Sequence, residues 1–109
     1  MIVVVAQEFW GLLQVAYPEL GGKPCPNVKM SSRMISTLGY AYFETNEIRL
    51  STSLYAKNKE LYHSDIIGHE LAHIAAYILF GDYKHGKGWK DCMKAINLRP
   101  LVTYKEAVL

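Results

Sequence analysis

Residues 64–90, SDIIGHELAHIAAYILFGDYKHGKGWK, decide how the rest of the chain is read. Ser64 offers a side-chain oxygen as an N-cap, and Asp65 places an anion in a first helical turn, where the helix dipole favours one. The helix is predicted to run to Leu79 or Phe80 and to end at Gly81, a residue that adopts the left-handed conformation of a C-terminal cap. Inside it stands His69-Glu70-Leu71-Ala72-His73, an H-E-x-x-H motif. Residues four apart on a helix lie one turn up and about 40° around the axis. Both imidazoles therefore point the same way and can hold one tetrahedral zinc. Glu70 sits on the rim of that face, placed to meet a water at the zinc without being a ligand.

A catalytic zinc usually keeps three protein ligands and one open position. Elimination points to the third. The metzincin spacing requires a glycine where this chain has Ala76 and a histidine where it has Leu79. The only glutamate after Glu70 is Glu106, near the end, and the only histidine after His73 is His85. His85 lies in a loop, Asp82 to Gly86, long enough to fold back on the central helix. Asp82 and Asp91 remain as alternatives. A single histidine on an apolar helix face is more often a packing or surface residue than a ligand, but two at this spacing around a glutamate are seldom accidental. His63 precedes the helix, lies outside the motif, and reads as structural or solvated. The expected chemistry is attack of water on a peptide carbonyl, with Glu70 as general base and then proton donor to the leaving amine. A tyrosine hydroxyl could assist the oxyanion. Tyr40, Tyr42, Tyr77 and Tyr83 are available, and the sequence does not choose among them.

Outward from this stretch, Phe9, Leu12, Leu13 and Ala16 recur at helical spacing and predict a helix over about Val5 to Tyr17, stopped by Pro18. Residues 21–26, Gly-Gly-Lys-Pro-Cys-Pro, read as a loop. Strands are expected at Val28 to Met34 and Leu38 to Phe43, the latter with Gly39 marking a close backbone approach. A turn at Glu44 to Glu47 leads to a third strand, in which Ile48 and Leu50 alternate with Arg49 and Ser51. A last helix is expected from Gly88 to Asn97, closed before Pro100. The sum is an α+β fold: a small antiparallel sheet packed with an N-terminal helix, the central H-E-x-x-H helix and a C-terminal helix.

The 109 residues suit one domain, with half of them hydrophobic and a fifth charged. A formal charge of +2 is too small to argue for nucleic acid by itself. Cys25 and Cys92 cannot build a disulfide framework or a four-cysteine zinc site, and free thiols are the expected state. The apolar start, Met1 to Ala6, lacks a basic flank and is broken by Gln7 and Glu8, so it does not read as a signal peptide. Ile74 to Phe80 is too short to cross a membrane. A cytoplasmic location, with nucleoid association as an option, is the resulting expectation, without a membrane partner.

His69-Glu70-Leu71-Ala72-His73, followed by His85-Gly86-Lys87-Gly88-Trp89, resembles the SprT-like domain, the family of bacterial SprT proteins and Spartan-type proteases. Gly39, Asn46-Glu47-Ile48-Arg49-Leu50 and Leu54 are similar as well, so the resemblance covers about residues 9–97. It implies a minimal zincin-like fold, one zinc on His69, His73 and His85, catalysis by Glu70, and Trp89 as a packing residue that anchors the His85 loop. It also implies a protein substrate bound or crosslinked to DNA. The chain departs from many relatives in having no cysteine after the last helix, hence no zinc ribbon there. Lys84, Lys87, Lys90 and Lys94 are the candidate DNA contacts, sufficient for weak binding; as a solvated helix face they would need no partner. The competing reading is a zinc-binding adaptor for DNA or protein that does not cleave. An intact Glu70 speaks for the enzyme. A metal-dependent ribonuclease ranks lower, since its third histidine would be expected nearer the second.

Overall fold

The computed structural model describes residues 1–109. Its elements run α1 (Ile2–Ala16), β1 (Asn27–Ser31), β2 (Gly39–Tyr42), β3 (Glu47–Ser51), α2 (Thr52–Lys57), α3 (Lys59–Leu61), α4 (Ile67–Phe80) and α5 (Lys87–Ala95). A 3-10 turn at Pro18–Leu20 follows α1, and a π-helical turn at Tyr62–Ile66 leads into α4. The α+β class expected from the sequence is the class observed. No helix is long and apolar enough to cross a membrane.

The sheet is mixed rather than wholly antiparallel. Its order is β1-β3-β2, with β2 antiparallel and β1 parallel to the central β3. The chain leaves β1 beside Ser51 and enters β2 beside Leu50, so the intervening loop only has to pass over one end of β3. The Leu38 carbonyl accepts from the Ser51 N–H there, at 3.2 Å. A parallel pair normally needs a long crossover to return to the strand's start. Here the β2–β3 hairpin reverses the chain and performs that return. Asn46 closes the hairpin at φ 51°, a conformation asparagine tolerates. As the middle strand, β3 is paired along both edges. Glu47 and Ser51 are buried with Ile48 and Leu50, only Arg49 keeps partial exposure, and the half-exposed alternation expected from its sequence is not seen.

The central helix starts differently from its expected form. Ser64 does not cap it. The helical path already runs from Lys59 through the π turn, so Ser64 and Asp65 lie inside a continuous coil and the N–H groups of α4 find carbonyls in the preceding turn. The Asp65 carboxylate accepts instead from Arg99, at 3.2 and 3.3 Å. Gly81 does end α4, at φ 68°, with its own N–H returned to Tyr77 and that of Asp82 to Ala76.

α4 is the hub. α1, α5 and β2 all pack on it, and every residue from Ile67 to Ala76 is buried. The core joins Trp10, Leu13 and Leu20 to Ile48, Leu50, Ile67, Leu71 and Met93. Cys25 and Cys92 are both free, and Cys92 belongs to this core.

Candidate metal centre

A helix buried all round is expected to be apolar all round. α4 breaks that rule at His69, Glu70 and His73, which are at most 8% exposed. Burying polar groups is costly unless they are paired. These three residues share the side of α4 that faces the loop before α5 and the start of β2.

The Nε2 atoms of the three histidines converge. His73 Nε2 is 3.1 Å from His85 Nε2, which is 3.4 Å from His69 Nε2. His69, His73 and His85 form a group able to hold a metal ion, their candidate ligand atoms all within 4.8 Å of one another. Burial, reinforced by the neighbouring histidines, pushes His69 down to about 3, and burial with His85 nearby pushes His73 down to about 4. At neutral pH both rings are thus uncharged with a free lone pair, the form that binds metals. His73 Nδ1 is buried without a hydrogen-bond partner, whereas His69 Nδ1 lies 2.9 Å from the Tyr104 hydroxyl.

The loop that brings His85 back is built by Asp82. Gly86 occupies the N-cap position of α5 and has no side chain to cap with. Asp82 supplies the missing acceptor: its carboxylate takes hydrogen bonds from the N–H groups of Trp89 at 2.9 Å and Lys84 at 3.0 Å. Burial opposes charge on Asp82, but these backbone donors outweigh it and hold the carboxyl below its ordinary range. A Cβ on residue 86 would meet that carboxylate at 2.9 Å, so any other residue there would push the cap aside. Trp89 is fully buried between α5 and α4, as expected. Its ring stacks on His73 (centroids 5.3 Å, 21°) and meets His69 and His85 edge-on. Its Nε1–H donates to the His69 carbonyl at 3.3 Å. The H-G-x-x-W pattern thus holds one side of the cluster in place. Asp82 is a cap, Asp91 pairs with Lys87 at 2.8 Å, and neither joins the histidines. His63 meets the Tyr55 hydroxyl at 2.8 Å, outside the cluster.

Glu70 lies beside the histidines, its carboxyl pushed up to about 8 by burial. Gly39 explains how it fits: a Cβ there would come within 3.1 Å of both Glu70 Cγ and Oε2. The expected close approach at this glycine is therefore to Glu70 itself. Above these residues opens a cavity of about 830 Å³, walled by the β2 residues Gly39 to Ala41 on one side and by Val102 to Lys105 on another. Among the candidate tyrosines, Tyr40 and Tyr83 border it and Tyr42 and Tyr77 do not. Lys84, Lys87, Lys90 and Lys94 are all exposed, and only Lys84 reaches the cavity.

Sequence reasoning missed Tyr104 and the capping role of Asp82. The aspartate carried a signal, an N-cap residue type close before a helix whose own N-cap is glycine. Tyr104 carried none, standing in an irregular segment far along the chain from its partner.

The SprT-like family model matches residues 7–106. Among the similar proteins, Protein SprT of Escherichia fergusonii is 35% identical over 94 residues, covering 84% of this chain and 56% of that protein. Protein SprT of Glaesserella parasuis is 42% identical over 67 residues, covering 61% of this chain and 43% of the relative. The chain thus spans about half the length of the curated relatives it matches. No solved structure matches it.

Proposed function

This chain belongs to the SprT-like family, and on that premise we propose that it is a zinc-dependent endopeptidase. The observation that carries the reading is the convergence of three imidazoles beside a buried carboxyl at the floor of an open cavity. Nitrogen ligands about 2.0–2.1 Å from a tetrahedral zinc lie about 3.3–3.4 Å apart. Two of the three Nε2 separations, 3.1 and 3.4 Å, are close to that spacing, and all three candidate ligand atoms lie within 4.8 Å of one another. Zinc held by His69, His73 and His85 would supply Lewis acidity toward a carbonyl oxygen and lower the pKa of water.

The protein's own groups account for the remaining chemistry. Glu70 takes a proton from the attacking water and returns it to the leaving amine, two transfers that one carboxyl beside the ligand cluster can perform in turn. β2 is an edge strand whose residues line the cavity, so an extended polypeptide can add alongside it through backbone hydrogen bonds. Of the four candidate tyrosines, Tyr40 and Tyr83 border the cavity and are the ones left to assist a developing oxyanion.

Substrates bound or crosslinked to DNA are the further reading that the family supports. The exposed Lys84, Lys87, Lys90 and Lys94 offer sequence-independent phosphate contacts that weaken steeply with salt. Asp91 already engages Lys87, which limits the strength of that patch.

The deciding experiment is cleavage of a denatured protein by the zinc-loaded chain and by Glu70→Gln. The variant is expected to keep zinc and lose activity by orders of magnitude. Activity that survives the substitution refutes the mechanism. A wild type that holds zinc and cleaves nothing points to an adaptor.

A further inference from the structure

We propose that Tyr104 is a positioning residue for His69, and that the C-terminal segment carrying it is a working part of the metal site. The inference rests on the reading of His69 as a ligand. Ligation through Nε2 requires the ring proton on Nδ1, and the partner of that proton fixes the ring plane. At His69 the partner is the Tyr104 oxygen, 2.9 Å away and 35 residues along the chain. With Nε2 committed to a metal, the Nδ1–H donates and the phenol oxygen accepts. Tyr104 is the only side chain outside the trio hydrogen-bonded to one of their ring nitrogens.

The segment is pinned on both sides of Tyr104. Before it, Arg99 joins Asp65 at 3.2 Å and Glu106 at 2.7 Å, with its guanidinium 5.9 Å from the Tyr104 ring centre. After it, the Asn58 side-chain amide pairs reciprocally with the Val108 backbone: Nδ2 donates to the carbonyl at 2.8 Å and Oδ1 accepts from the N–H at 2.7 Å. An irregular segment loses much conformational freedom when it is ordered. These contacts, with Tyr104 itself 8% exposed, offset that loss and hold the phenol against the histidine. Trp89 packs against all three rings, but its one hydrogen bond to them is to the His69 carbonyl, so the hydroxyl alone addresses a ring nitrogen.

The test compares wild type with Tyr104→Phe, which keeps the buried ring and removes only the oxygen. Zinc affinity is measured by competition with a chromogenic chelator, ligand geometry by the visible absorption of the cobalt(II)-substituted chain, and the fold by thermal unfolding of the metal-free chain. Expected are a roughly 10–100-fold loss of zinc affinity, altered cobalt bands and a nearly unchanged metal-free transition. Zinc affinity within twofold of wild type together with an unchanged cobalt spectrum overturns the proposal. So does a metal-free variant that no longer folds, because the hydroxyl would then be serving the fold rather than His69. A wild type that binds no zinc refutes the metal reading itself, a failure visible before any variant is compared.

Discussion

The Asp82 carboxylate accepts the backbone N–H of Trp89 at 2.9 Å, across seven residues, and so caps α5 in place of Gly86. One hydrogen bond thereby ties the end of α4 to the start of α5 and closes the loop that presents His85. Losing a helix cap of this kind costs about 0.5–2 kcal/mol. Asp82→Ala should lower stability by that amount in denaturant unfolding of the metal-free chain and should weaken metal binding as the loop loosens. Unchanged stability would show that the cap contributes nothing.

Metal content follows from the histidine cluster. The purified chain should hold about one zinc, as three ligands and an open position require. His69→Ala, His73→Ala and His85→Ala should each lose most of it, as read by elemental analysis. Full retention in His85→Ala would remove that residue from the site.

Gly39 should be intolerant of any side chain. A methyl group there would press on Glu70 Cγ and Oε2 at 3.1 Å, inside ordinary contact distance. Gly39→Ala is expected to displace the carboxyl and cut peptidase activity at least tenfold while zinc content stays at wild-type level. Wild-type kinetics in this variant would place Glu70 in a looser setting than the contacts show.

His69 and His73 should each destabilise the metal-free chain in mild acid. His69 and His73 are held at about 3 and about 4 when folded and revert to the ordinary 6.5 when unfolded. Above pH 6.5 neither state is protonated and the two residues add no pH dependence. Between pH 6.5 and about 4 the unfolded chain binds protons that the folded chain refuses, so stability falls as pH falls. At pH 5 the loss is on the order of 2 kcal/mol from either histidine. Glu70, raised to about 8, works the other way: the folded chain takes up its proton first and gains on the order of 2 kcal/mol between pH 7 and pH 5. Unfolding of chelator-treated Glu70→Gln protein at pH 7 and pH 5 therefore isolates the histidines, and a flat profile there would mean that the rings are solvated.

The features legible in the sequence are those set by spacing along the chain. The alignment of His69 with His73 follows from helical pitch, the stop at Gly81 from the left-handed backbone a glycine accepts, and the return of His85 from a loop long enough to fold back on the helix. Trp89, one turn beyond His85, was equally readable as the anchor of that loop. Other features depended on which surfaces meet, and local chemistry does not encode that. Ser64 has the chemistry of a cap but lies inside a longer helical coil, because the turn before it was already wound. Asp65 answers Arg99 rather than a helix dipole. β1 runs parallel to β3 only because the β2–β3 hairpin brings the chain back beside it. Gly39 against Glu70, and Tyr104 against His69, each join segments more than 30 residues apart. Closing such loops costs entropy that only the assembled core offsets. Residue spacing thus determined which imidazoles would converge, and tertiary packing decided which groups hold them in place.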